Sequence, residues 1–136
     1  MATIFEKIIA REVPAHFVYE DDKVVAFLDI RPNNKGHSLV VPKKISVNIF
    51  DADAETLGYM MHVAQKIAHV LQAIVGADGV NIIMNNGEAA GQEVPYSHIH
   101  VIPRFNDDDV FQPPTRTEYA EGEQTALAEQ IKNALN

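Results

Sequence analysis

The run Tyr96-Ser97-His98-Ile99-His100-Val101-Ile102 places two histidines two residues apart among alternating apolar residues. Successive side chains of a strand point to opposite faces, so Tyr96, His98 and His100 share one face and Ser97, Ile99 and Val101 the other. The rise per residue puts the two imidazoles roughly 6–7 Å apart along the strand. A neutral imidazole is a good nucleophile at pH 7, because its unperturbed pKa near 6.5 leaves it mostly unprotonated. A second imidazole beside it can stabilise phosphate charge or pass a proton. Just upstream, Asn85-Asn86-Gly87-Glu88-Ala89-Ala90-Gly91-Gln92 carries two glycines whose backbone N–H groups can approach phosphate oxygens. Acting together, these groups suit phosphoryl or nucleotidyl transfer through a covalent intermediate. A zinc site on His37, His98 and His100 is the other chemistry this composition allows.

The elements that must position these residues follow from periodicity and breakers. Ile4 to Ala10 reads as a short helix ended before Pro14. Phe17-Val18-Tyr19 and Val24 to Leu28 flank a polar turn and form a hairpin, and Asp29 to Gly36 is a loop. Ser38 to Val41 is a buried strand stopped by Pro42. Leu57, Met61, Ala64, Ala68, Leu71 and Val75 define the inner face of a long helix from about Asp53, an N-cap, to Gly76, a C-terminal stop. Val80 to Met84 and Tyr96 to Ile102 are strands, and the tail ends in a helix with Leu127, Ile131 and Leu135 on one stripe. His16, His62 and His69 fall on a turn and the long helix and read as surface residues. Strands around one long helix imply an α+β fold with a mainly antiparallel sheet. We divide the chain into a domain over 1–110 and an extension over 111–136 packed on or beside it.

The bulk numbers narrow the function. A chain of 136 residues suits one domain. Its formal net charge of −8 disfavours a nucleic-acid scaffold, while leaving room for a local anion site. With no cysteine there is neither a disulfide framework nor a thiolate zinc site. No apolar run approaches the roughly 20 residues that span a bilayer, and the first residues lack a signal-peptide core. A cytoplasmic protein with no membrane partner is the expectation.

With these residues in view, the chain resembles the histidine-triad superfamily, in its branch of nucleoside phosphoramidate hydrolases. The resemblance rests on Gly91-Gln92-Glu93-Val94-Pro95-Tyr96-Ser97-His98-Ile99-His100-Val101-Ile102-Pro103-Arg104, on Thr3-Ile4-Phe5 with Lys7-Ile8-Ile9, and on Ala26-Phe27-Leu28-Asp29-Ile30 with Pro32. Gly36-His37-Ser38-Leu39-Val40-Val41-Pro42-Lys43 and Asn85-Asn86-Gly87 add to it, so that it covers about residues 3 to 105. It implies a homodimer whose sheets join, a purine nucleotide ligand resembling AMP, and no cofactor. It implies hydrolysis at the α-phosphate, with His98 as the nucleophile, His100 at the phosphate and leaving group, and His37 supporting the triad. By the same resemblance Asp29 binds the ribose hydroxyls, Asn85, Gly91 and Gln92 face the phosphate, and Ile4, Phe5, Phe27 and Ile30 wall the base.

Three departures stand out. Tyr96 occupies the first histidine position of the triad, where a side chain supports the site. Glu93 replaces a small hydroxyl residue near the leaving group, which disfavours a phosphate there and favours a cationic amine. Thr3 and Glu6 stand where many bacterial relatives carry a zinc-binding Cys-x-x-Cys pair, so no structural zinc is expected at that end. The rival readings are a dinucleoside polyphosphate hydrolase and a nucleotide-binding or partner-docking module with weak catalysis.

Overall fold

The structure, a computed structural model, describes residues 2–111 and 113–136. Helix α1 (Ile4–Ile9) opens on Thr3, whose hydroxyl accepts from the Glu6 N–H while the Glu6 carboxylate accepts from the Thr3 N–H, both at 3.2 Å. This reciprocal cap satisfies two backbone donors of the first turn. Strands β1 (Phe17–Glu20) and β2 (Val24–Leu28) form the expected hairpin, and β3 (Ser38–Pro42) follows the loop after β2. Helix α2 (Ala54–Val75) is capped by Asp53, whose carboxylate accepts from the Thr56 N–H at 2.7 Å, and it ends on Gly76 in the left-handed region. Strands β4 (Gly79–Ile83) and β5 (Ile99–Arg104) complete an antiparallel sheet of order β1-β2-β3-β5-β4.

Alternation along the strands gives the sheet two covered faces. Val24, Ala26, Val40, Ile99 and Val101 pack against Met60, Val63, Ala64 and Leu71 of α2. On the opposite face Val25, Phe27, Leu39 and Val41 meet Phe5 and Ile8 of α1 together with Tyr96. Each fully buried side chain of this kind stabilises the fold by roughly 1.5–3 kcal/mol. The α2 stripe differs from the expected one at Met61, which is 48% exposed, while Met60 is fully buried. The inner face steps from Leu57 to Met60 to Ala64, a three–four spacing that turns Met61 onto the outer edge. Val75, expected inside, is also half-exposed where α2 ends.

The register explains how distant residues meet. Phe17 pairs with Phe27, Phe27 with Leu39, Leu39 with His100 and His100 with Ile83, so one transverse row crosses the sheet on the α1 face. The loop from β2 to β3 returns through Gly36 at φ +103°, where a Cβ would sit 3.1 Å from Leu71 Cδ2. Only glycine suits both that angle and that approach, and His37 follows directly. None of the described residues from Pro113 onward, helix α3 (Glu123–Leu135) included, is buried. No helix among the described residues is long and apolar enough to cross a membrane.

Candidate active site

A cleft of about 600 Å³ opens beside α1, lined on one side by Ile4, Phe5, Phe27 and Ile30 and on the other by His37, His98 and His100. Asp29, Asn85, Gly91 and Glu93 also line it, so the structure brings together most of the residues singled out from sequence. Two of them lie elsewhere, Gln92 in the adjoining loop and Tyr96 in the core beneath.

Strand β5 begins at Ile99, later than expected, because residues 96–98 leave the ladder. The Tyr96 N–H donates to the Val94 carbonyl at 2.8 Å, and the Ser97 N–H donates to the Ser46 carbonyl at 2.8 Å. The side-chain alternation survives. Ser97 turns to the other side, bonded to the Ser46 hydroxyl at 2.7 Å, and Tyr96, His98 and His100 face the α1 side. The His98 ring stands edge-on to both the Phe5 and the His100 ring, with centroids 4.9 Å away in each case.

Hydrogen bonds fix the proton positions of the three imidazoles. A backbone amide can only donate, so the Asn33 N–H, 3.1 Å from His37 Nδ1, makes that nitrogen an acceptor. The His37 proton therefore sits on Nε2 and is donated to His100 Nδ1 at 2.9 Å. This leaves His100 with its proton on Nε2. His98 Nδ1 lies 2.7 Å from the Tyr96 carbonyl, which can only accept, so Nδ1 carries the proton and Nε2 keeps its lone pair. The result is a nucleophilic nitrogen on His98 next to a hydrogen-bond donor on His100.

Electrostatics keeps these rings neutral. Burial pushes the His98 pKa below its ordinary 6.5, against the opposing effects of the Tyr96 carbonyl and Asp29. Burial, then His98 and His37, push His100 down to about 4. Burial also lowers His37, with Asp29 opposing it from 3.7 Å. The Asp29 carboxylate accepts from the Arg31 N–H at 2.8 Å and remains a fifth exposed, with room for further donors.

Tyr96 is not aimed at the reacting centre. Its ring is 1% exposed, and its hydroxyl donates to the Pro42 carbonyl at 2.5 Å. Burial pushes its pKa up to about 12. Its link to the site is its own backbone carbonyl under His98. Tyr96→Phe is therefore expected to cost about 1–3 kcal/mol of stability, by orphaning a buried carbonyl, while leaving turnover within a factor of about three. Chemical denaturation and steady-state kinetics on the same preparation check this, and a large fall in turnover with unchanged stability would contradict it.

The glycine loop also differs from the expected phosphate cradle. A 3₁₀ turn over Glu88–Ala90 engages the N–H groups of Ala90, Gly91 and Gln92 with carbonyls of Gly87 and Glu88. The Gln92 amide donates to the Val47 and Val94 carbonyls at 2.6 and 3.0 Å, and it accepts from the Gly87 N–H and the Asn48 amide. No donor of that side chain is left for phosphate, so Gln92 shapes the loop. Gly91, at φ +91°, holds the backbone against Asn85, the side-chain amide that does line the cleft. Residues the sequence did not flag are Asn33, which sets the tautomers, Arg31, a cation lining the cleft, and Asn48. The backbone role of Asn33 has no side-chain signal from which to read it.

Ligand atoms of Asp29, His37 and His100 lie within 4.8 Å of one another, so Asp29 takes the place the zinc reading gave to His98. Two of those atoms already share a proton, and without cysteine the chain does not fit a thiolate zinc site.

Comparison with known proteins agrees with this architecture. Residues 10–107 match the model of the HIT domain. A HIT-like protein of Methanocaldococcus jannaschii is 50% identical over 105 residues, covering 77% of this chain and 81% of its own. The purine nucleoside phosphoramidase of Escherichia coli K12 is 44% identical over 103 residues, covering 74% of this chain and 85% of its own. A crystal structure of a HIT family member from Bacillus subtilis superposes with a TM-score of 0.88 at 37% identity, covering 98% of this chain and 96% of that one. On the matched domain, the α+β architecture and these relatives together, the chain belongs to the HIT domain family.

Proposed function

We propose that this protein is a nucleotide-binding hydrolase that cleaves purine nucleoside 5′-phosphoramidates at the α-phosphate through a nucleotidyl-His98 intermediate. The observation that carries this reading is the order of donors and acceptors, which leaves a lone pair on His98 Nε2 beside an N–H on His100. The His98 nitrogen forms a bond to phosphorus as the P–N bond breaks, the amine leaves with a proton, and water then releases the nucleoside monophosphate. His100 donates to a phosphate oxygen and Asn85 offers its amide to another. Asp29 accepts from the ribose hydroxyls, and Ile4, Phe5, Phe27 and Ile30 sandwich the base. The resemblance to the Escherichia coli phosphoramidase supports the substrate class. Glu93, on the leaving-group side, repels a phosphate and favours an amine. The protein acts as a homodimer through the exposed β4 edge, where Ile82 is 37% exposed.

The test is AMP release from an adenosine 5′-phosphoramidate compared with a diadenosine polyphosphate. Faster cleavage of the phosphoramidate is expected. Preference for the phosphoanhydride would favour the dinucleoside polyphosphate reading, and AMP binding without turnover of either would favour a binding module.

The pH dependence has a defined sign. A lowered His98 pKa keeps Nε2 unprotonated below pH 6.5, so kcat/KM should stay level through 6.5 and fall only at lower pH. Stability should move the same way. The unfolded histidines bind protons from 6.5 downward before the folded ones do, so folding weakens as pH drops below 6.5. A kcat/KM limb centred at or above 6.5 would contradict the assignment.

A further inference from the structure

The neutral His37–His100 pair has two self-consistent proton orders. In the observed one, His37 donates from Nε2 to His100 Nδ1, and His100 keeps its own proton on Nε2. In the reverse order, His37 is protonated on Nδ1, His100 donates from Nδ1, and His100 Nε2 offers a lone pair where it had a donor. The choice turns on one contact, the Asn33 N–H at 3.1 Å from His37 Nδ1. That amide belongs to an exposed residue of the β2–β3 loop, so its aim depends on what anchors the loop.

Asn34 is the anchor. Its side-chain amide donates to the Pro103 carbonyl and to the Asp108 carboxylate, both at 2.9 Å. Both partners only accept, which fixes the orientation of the amide and engages its two protons. The Asn34 backbone carbonyl accepts from the His37 N–H at 3.0 Å, closing a turn whose third residue is Gly36 at φ +103°. One residue thereby holds the Asn33 N–H before it and the His37 backbone after it.

Asp108 is built as a rigid acceptor. Arg104 donates to it at 2.6 and 2.8 Å, and the Phe105 and Val110 N–H groups donate at 2.9 and 3.2 Å. The Arg104 guanidinium holds its carboxyl far below the usual carboxylate range. Its neighbours Asp107 and Asp109 stand at φ +62° and +51°, a region that residues other than glycine rarely occupy. Such backbone persists where its surroundings over-determine it, and five hydrogen bonds on one carboxylate do so here.

We propose that Asn34, clamped by Asp108, is a positioning residue that selects the proton order of the His37–His100 pair. It does not line the cleft and acts through Asn33 and His37. The effect on rate rests on the phosphate role proposed for His100; the proton order itself does not.

The test reads imidazole tautomers by proton–nitrogen correlation spectra of the ¹⁵N-histidine-labelled protein at neutral pH, beside steady-state kinetics with adenosine 5′-phosphoramidate. Asn34→Ala removes the anchor, and Asn34→Asp keeps its volume while setting a second carboxylate against Asp108. Lys35→Ala, at an exposed position of the same turn, is the control. In both Asn34 variants the His37 and His100 signals should move together from Nε2-protonated toward a mixture with Nδ1-protonated rings. The His98 signal should stay Nδ1-protonated, because the Tyr96 carbonyl sets it. kcat should fall by about five- to fiftyfold with KM within about twofold, and Lys35→Ala should change neither reading. Unaltered tautomers in folded Asn34→Ala and Asn34→Asp would overturn the proposal, as would an equal shift in Lys35→Ala. A tautomer shift with unchanged kcat would uphold it and count instead against the role given to His100.

Discussion

His98→Ala is expected to lower AMP release from an adenosine 5′-phosphoramidate by about 10⁴–10⁶-fold, the scale seen when a covalent nucleophile is removed. His98 offers the one ring nitrogen among the three imidazoles with a lone pair uncommitted to the protein, since Nδ1 of His37 and of His100 each accept a bond. Asp29 is a weak nucleophile toward a phosphate monoanion, and Asn85 has no lone pair of comparable basicity. The residues proposed to hold ribose and base lie on α1, β2 and the loop after β2, so nucleotide affinity should change by less than about fivefold. Steady-state kinetics with AMP calorimetry separates the two effects. Loss of binding together with turnover would place His98 in the scaffold.

The second largest effect is expected at His100. Removing a preorganised donor aimed at developing phosphate charge costs about 10²–10³ in kcat, so His100→Ala should fall in that range. The variant also strips the acceptor from His37, which is only 2% exposed. An orphaned buried N–H costs about 1–3 kcal/mol, so stability should fall as well. His37→Ala makes the sharper comparison. It leaves the His100 ring in place and removes the bond that sets its tautomer, together with the acceptor of the Asn33 N–H, so its loss in kcat should be smaller than that of His100→Ala. A greater loss in His37→Ala would mean that the direct contact is assigned to the wrong ring.

Much of this site was legible from the residues. Alternation put His98 and His100 on one face and Ile99 and Val101 on the other, and the core clusters have that arrangement. The long helix and its caps followed from a three–four apolar repeat closed by Asp53 and Gly76. The misreadings share a cause, namely partners far away in sequence. Gln92 looks like a phosphate ligand until Val47 and Asn48, more than forty residues earlier, claim its amide. The ladder opens late because Ser46 takes the Ser97 N–H. Met60 and Met61 are equally apolar, and only the packed sheet decides which lies inside. The tautomer order depends on the Asn33 backbone and on a bond between residues 63 apart, neither of which periodicity encodes.

The most direct test of the central claim is to stop turnover of an adenosine 5′-phosphoramidate with alkali, which preserves a phosphorus–nitrogen bond to histidine, and to map the adduct by peptide mass spectrometry. The account predicts an adenylyl group on His98 and none in the His98→Ala variant. Full turnover with no adduct, or an adduct on His100 or His37, would contradict it.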